Sequence, residues 1–359
     1  MKTLPTLKVL LCSAVLFSAQ TFAADVTQKD FNAAYMAYQE AMKTDDSKLK
    51  FETAKRAYEL GRAIYGDLDK DTIALAINYA DQIAYDDRAD KAELLKKVLA
   101  DIDALEGEDS ERKIPMLISL AKIKLFKSNK SAKALLRQAI DISKKSTTIG
   151  LAAQTYLDAS EVLVGIPGEL RTVSMYVDNA EEIANKTLDK NAWLNFYIAY
   201  RKADILIAFN QREEAITVLE SKLERLDSSM SFDSPLEMQM RIRLVQLYEE
   251  TDQSDKATKQ CIALGTLTPW KDDLEQVPLY RVLPDIKDIK STRNTSIVAS
   301  FDVTPEGNVE NIEIDHVNGN KVFAKPLIAA LKKWRYAPKF EDGKPVTASS
   351  QIRMDFQVQ

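Results

Sequence analysis

Small or apolar residues placed to open the second helix of a pair recur at Ala92, Ala134, Val173, Ala215 and Ala257, at intervals of 42, 39, 42 and 42 residues. A recurrence of that length marks stacked supersecondary units, none of which can bury its apolar face alone. Each marker is preceded by a polar bend: Asp86-Asp-Arg-Ala-Asp, Lys127-Ser-Asn-Lys-Ser, Gly165-Ile-Pro-Gly-Glu, Asn210-Gln-Arg-Glu-Glu and Thr251-Asp-Gln-Ser-Asp. Three markers have a small or apolar residue twelve positions upstream, at Ala80, Ala203 and Val245. Small residues at that spacing let two antiparallel helices approach closely. A first pair fits Phe31 to Met42 and Leu49 to Ile64, so residues 25 to about 265 predict an all-helical array of about six hairpins. The few prolines in this region (Pro115, Pro167, Pro235) sit near helix starts or in loops, where the missing N–H costs little.

The chain's other ends carry different signals. Lys2 and Lys8 precede a short apolar run, Val9 to Ala19, and Thr21-Phe22-Ala23 places small residues around a cleavage point. Residues 1–23 therefore read as a secretory signal, with retention as an uncleaved anchor as the alternative. The run is about half of the roughly 20 apolar residues a membrane span needs. Cleavage would leave Cys261 as the single cysteine, so no intramolecular disulfide could form and the core must supply the stability. Its place four residues after Ala257 on a helix face predicts a buried, structural thiol. A formal net charge of -5, about two units more negative without the leader, argues against a nucleic-acid groove.

Between Gly265 and Pro284 the helical period breaks, with Pro269, Pro278 and Pro284 in sixteen residues, and the chain should run as an extended connector over 266–284, tacked to a neighbour by Trp270. After it the period becomes two. Ser296 to Val303 and Val309 to Val317 alternate as strands around the turn Thr304-Pro-Glu-Gly-Asn308. Val322 to Trp334 reads as an amphipathic helix, with Leu327, Ile328, Leu331 and Trp334 on one face and Lys332, Lys333 and Arg335 placed to suit the end of its dipole. A polar loop, Glu341 to Pro345, and a last strand, Ile352 to Val358, complete a β-β-α-β unit over 285–359.

Two resemblances follow from these residues. Ala57-Tyr-Glu-Leu-Gly-Arg-Ala-Ile-Tyr-Gly-Asp-Leu and Ala74-Leu-Ala-Ile-Asn-Tyr-Ala resemble tetratricopeptide-type repeats of the longer kind. That implies a surface for peptides or partner proteins, lined in part by Tyr35, Tyr38, Tyr79, Tyr85, Tyr156, Tyr176, Tyr197 and Tyr200; the plainer alternatives are a spacer that binds nothing, and tyrosines that pack between repeats. The end of the chain resembles the C-terminal domain of TonB, the energy transducer of the Gram-negative envelope. It carries, in order, Pro278-Leu-Tyr-Arg-Val-Leu-Pro284, Phe301-Asp-Val303, Pro305-Glu-Gly307, Trp334-Arg-Tyr-Ala-Pro338 and Gly343-Lys-Pro-Val346. The chain departs from that family in having Asp285-Ile286 after the lead, and a helical array in place of a Pro- and Lys-rich spacer.

The TonB resemblance implies a periplasmic, non-enzymatic protein that captures an outer-membrane receptor or transport-complex component by strand addition, and the repeat resemblance adds a second protein partner on the helical array. Two alternatives stand beside it: a membrane-anchored energy transducer and an envelope assembly scaffold unrelated to receptors. The partner-binding residues it implies are Leu283, Pro284, Arg335 (which could instead pair with Asp302 or Asp355), Ile352, Arg353, Met354, Asp355, Phe356 and Val358. No catalytic motif, zinc-type His/Cys cluster or phosphate-binding glycine loop occurs in the sequence, and the only histidine, His316, falls on a strand as an exposed residue. No enzyme, cofactor, metal, nucleic acid or small-molecule substrate is therefore expected.

Overall fold

The computed structural model describes residues 27–84, 87–229, 235–267, 276–289 and 293–357. The predicted leader, Tyr85, Pro269, Trp270 and Val358 lie outside the described residues. The chain divides into two compact units between Met116 and Leu117.

The first unit holds α1 (Gln28–Ala41), α2 (Ser47–Tyr65), α3 (Lys70–Gln82), α4 (Arg88–Glu106) and the start of α5 (Lys113–Leu125). Its first three helices begin on side-chain caps that satisfy the orphan N–H groups of a first turn. Thr27 and Asp30 form a reciprocal capping box on α1, and Asp46 and Asp69 cap α2 and α3. Gly66 and Gly107 end α2 and α4 at positive φ.

The second unit continues with α6 (Asn129–Lys145), α7 (Leu151–Leu163), α8 (Leu170–Thr187), α9 (Trp193–Ala208), α10 (Arg212–Ser229), α11 (Pro235–Glu250) and α12 (Ser254–Leu267). The 42-residue period is written into its backbone. Asn210 and Asp252 both take φ near +60°, and the amides of Gln211 and Gln253 each reach back five residues, to the carbonyls of Leu206 (2.8 Å) and Tyr248 (2.7 Å). These are two copies of one helix-stop motif. Ala80, Ala203, Val245, Val173, Ala215 and Ala257 are buried, as their spacing predicts. Ala134 differs: it is exposed, and Ala132 takes the buried place. Ser128 caps α6, so the helix starts early and the buried face falls two residues before the expected one.

The predicted β-β-α-β order is present as β2 (Thr295–Val303), β3 (Val309–Asn318), α13 (Ala324–Leu331) and β7 (Ala348–Phe356). Two short ladders add to it: β1 (Pro278–Tyr280) pairs antiparallel with β4 (Arg335–Tyr336), and β5 (Lys339–Glu341) pairs with β6 (Lys344–Val346). The segment expected as a polar loop at 341–345 is thus a hairpin. Asp342 and Gly343 occupy its two central positions at φ +50° and +75°, the primed turn that matches strand twist.

The predicted helix is also shorter. Lys321–Phe323 form a 3-10 turn and α13 ends at Leu331, because Arg335 and Tyr336 are needed in extended form against β1. Lys332 and Lys333 lie at and just beyond the cap, and Arg335 is a strand residue rather than a partner of the helix dipole.

The three-stranded sheet has the order β3-β2-β7, all antiparallel. β2 alternates without exception: Ile297, Ala299, Phe301 and Val303 are buried, and the residues between them are half-buried. They pack with Leu327 and Leu331 of α13, Trp334, Tyr336 and Phe356. Among the described residues no helix is long and apolar enough to cross a membrane.

Candidate partner-binding site

β7 owes its place to alternation. Ile352, Met354 and Phe356 turn to the core face opposite Ala299, Ile297 and Thr295, while Arg353 and Asp355 stand on the solvent face opposite Val298 and Ser296. A one-residue slip would exchange the two sets, so the buried face fixes the register. Because β2 lies between β3 and β7, the second edge of β7 has no strand beside it among the described residues. An edge of this kind presents a row of main-chain donors and acceptors. The solvent face around it is polar. Ser349 donates to Asp302 at 2.9 Å, Gln351 to Asp315 at 3.0 Å and Arg353 to Asp355 at 3.1 Å. Hydrogen bonds from Ser296 and Arg353 hold the Asp355 carboxyl below the usual carboxylate range.

The expected site residues other than Val358 separate into four groups. Ile352, Arg353, Met354 and Asp355 lie together on the edge strand, with the first and third half-buried. Phe356 is buried and stacks on Phe323 with ring centroids 4.7 Å apart, so it belongs to the core. Leu283 is 78% exposed and Pro284 half-buried in the lead segment. The lead is tied down by the Trp334 indole, whose Nε1–H donates to the Val282 carbonyl at 2.9 Å, and Arg281 lies over the same ring at 5.9 Å.

Arg335 requires a correction. It is 5% exposed and not available to an outside partner, and it pairs with neither Asp302 nor Asp355. One guanidinium nitrogen donates to Glu249 of α11 at 2.9 Å; the other donates to Thr258 Oγ1 of α12 at 2.6 Å and to the Glu306 carbonyl at 3.0 Å. β4 is held to the sheet turn by the Tyr336 amide, which donates to the Gly307 carbonyl at 2.9 Å. The fork of donors on Arg335 thus joins the last helix pair to the turn between β2 and β3.

Apolar packing accompanies this polar contact. Ala337, Leu279 and Tyr280 join the core of α9 to α12, and Gln246 of α11 donates to the Leu279 carbonyl at 3.1 Å. Gly265 of α12 has no room for a side chain: a Cβ there would lie 2.6 Å from Phe340 and 2.7 Å from the Pro338 carbonyl. Cys261 is buried beside Gly307 as expected, and burial pushes its thiol up to about 11 against the nearby Arg335 charge. Sequence reading missed this junction. Its one visible trace was a glycine on the last turn of α12, where helix propensity disfavours it.

Of the tyrosines considered for a groove on the repeats, Tyr38, Tyr156 and Tyr176 are buried between helices, and Tyr35, Tyr79, Tyr197 and Tyr200 are half-buried. His316 is exposed on β3. Among the described residues no group of His, Cys, Asp and Glu could hold a metal ion.

Residues 289–358 match the sequence family described as Gram-negative bacterial TonB protein C-terminal, about the last fifth of the chain. No curated protein matches the chain. Among solved structures, a Podosopora anserina kinesin light chain protein of nearly identical TPR-like repeats is 17% identical over 54% of this chain and 92% of its own, with a TM-score of 0.44. A Rap protein complexed with competence and sporulation factor is 14% identical over 67% of this chain and 75% of its own, with a TM-score of 0.40. The tetratricopeptide-sensor STAND protein from Pyrococcus horikoshii is 14% identical over 67% of this chain and 40% of its own, at 0.38.

Proposed function

We propose that this chain is a non-enzymatic interaction protein of the Gram-negative periplasm that acts in or alongside TonB-dependent, energy-coupled transport across the outer membrane. Its TonB-type segment captures a short extended stretch of an outer-membrane receptor or transport component on the edge of β7. The helical repeats take a second protein partner, so that the chain brings two proteins together.

The family match over 289–358 supports the envelope and the class of partner. The observation that carries the mode of binding is the sheet order β3-β2-β7, which puts the last strand outermost. Strand addition takes its affinity from main-chain hydrogen bonds and its selectivity from side chains on alternate positions. Arg353 and Asp355 on one face, with Ile352 and Met354 on the other, supply such positions.

Proline at Arg353 and, separately, at Met354 tests this. Of two successive amides in an edge strand, one faces the ladder and the other faces outward. Proline at the outward amide removes a docking donor while the sheet keeps its bonds to β2. Co-purification from solubilised envelopes should lose outer-membrane receptors or transport components with the variant that retains native circular dichroism. Recovery of the same proteins by wild type and by both variants would overturn the reading.

A further inference from the structure

A recess lies between the lead segment and α13, lined by no residue of β7. Val282, Leu283 and Asp285 form one wall, and Lys325, Pro326, Ala329, Ala330 and Lys333 the other, around a groove of about 330 Å³. Both walls are fixed. The Trp334 indole holds the Val282 carbonyl, and α13 is anchored by Leu327 and Leu331, which are fully buried. The two alanines on α13 leave the space, and Leu283, at 78% exposure, stands at its lip with no apolar surface covering it.

The charges around the groove are uneven. Lys325 and Lys333 are exposed, and among the described residues neither has an ion-pair partner. Asp285 accepts from the Lys287 amide in its own turn at 3.4 Å. Lys325 stands in the first turn of α13 and Lys333 just past its cap, so the two ammonium groups flank the ends of an eight-residue helix roughly 12 Å long. An extended chain covers about 13 Å in four residues, and its positions 1, 3 and 5 point the same way. Carboxylates at positions 1 and 5 would meet the two ammonium groups, and an apolar side chain at position 3 would enter the groove.

We infer that the groove between Leu283 and α13 is a docking site for an extended acidic segment of a partner protein, of the pattern acidic-x-apolar-x-acidic, separate from the β7 edge. The site does not depend on strand addition. A partner engaging both would be held at two points on one rigid module, which raises its effective concentration at each.

The test is fluorescence anisotropy of a labelled peptide with Asp at positions 1 and 5 and Leu at position 3, titrated with the full chain. Lys325→Glu with Lys333→Glu should weaken binding about tenfold or more, since like charges then face each other. Ala329→Leu, at an exposed position, should weaken it by filling the groove, with circular dichroism unchanged. A peptide with Asn for both Asp residues should bind about tenfold more weakly, and salt should lower affinity for the acidic peptide. The natively folded β7 proline variant should bind the acidic peptide as wild type does, so the two sites fail independently. Equal affinity of the acidic and Asn peptides, equal affinity of wild type and the lysine-reversal variant, or no detectable binding of the acidic peptide would overturn the inference.

Discussion

Arg335 of β4 donates to Glu249 of α11 at 2.9 Å, across 86 residues of sequence, with both side chains largely removed from solvent. The arginine sits in the Trp-Arg-Tyr exit of the C-terminal module, and the glutamate lies one residue before the end of α11, the first helix of the last pair. Their pairing makes the module an extension of the repeats rather than a bead on a tether. A buried ion pair is modest evidence of net stability, yet removing one partner is costly because the other is left charged and unpaired.

Glu249→Ala should therefore destabilise the second unit by about 3 kcal/mol. Arg335→Lys should be nearly as harmful, because a point charge cannot serve Glu249, Thr258 and the Glu306 carbonyl together. Replacing both members of the pair with apolar residues should restore part of the loss. Urea denaturation of wild type, Glu249→Ala, Arg335→Ala and the double alanine variant, read as a double-mutant cycle, should give a coupling of at least about 1 kcal/mol. Additive losses would show that the pair contributes nothing as a pair.

Two glycines separate crowding from backbone strain. Gly307 has φ +79°, and a Cβ there would lie 2.2 Å from the Tyr336 carbonyl and 3.1 Å from Cys261 Cβ. Gly343 has φ +75° with open space around it. Gly343→Ala should cost about 1 kcal/mol, the left-handed penalty alone. Gly307→Ala should cost well above that, about 3 kcal/mol, because a backbone carbonyl cannot step aside. Thermal denaturation of both variants checks the order; equal losses would contradict the close approach of the sheet turn to α12.

Cys261 reports on the same junction chemically. Its thiol is raised from 9.0 to about 11 by burial, with the Arg335 charge acting in the opposite sense. The thiolate is the reactive form, so in the chain without residues 1–23, which carry Cys12, Ellman's reagent at pH 8 should leave the folded protein unlabelled and react fully in denaturant. A thiol whose folded pKa is raised contributes stability that is complete below about pH 9 and is lost as pH climbs toward 11. Cys261→Ala should show a smaller fall in melting temperature over that interval than wild type does. Rapid labelling of the native chain at pH 8 would show that the junction opens.

Much of the helical array was legible because its cause is local. The twelve-residue spacing from Ala203 to Ala215 and from Val245 to Ala257 is a packing rule for one hairpin, and all four residues are buried. The exception, Ala134, arose from a helix cap at Ser128, which shifts a buried face without altering composition. In the C-terminal module, alternation located β2, β3 and β7, and Asp342-Gly343 was a hairpin signal that was read only as a loop. The role of Arg335 was not legible. Whether an arginine faces solvent or a glutamate 86 residues earlier is decided by tertiary docking, which leaves no period in the sequence. Nor was the hydrogen bond from the Trp334 indole to the Val282 carbonyl, which ties down the lead segment, visible in the sequence.

The central claim is that the edge of β7 meets an outer-membrane partner, and site-specific photocrosslinking in living cells tests it most directly. A photoreactive amino acid at Arg353 stands on the exposed face of the edge strand, and one at Glu310 stands exposed on the opposite edge strand, β3. The account predicts that irradiation joins the chain to an outer-membrane receptor or transport component from position 353 and not from 310. Adducts to such a protein from 310 alone, or from neither position while adducts form from the helical repeats, would contradict it.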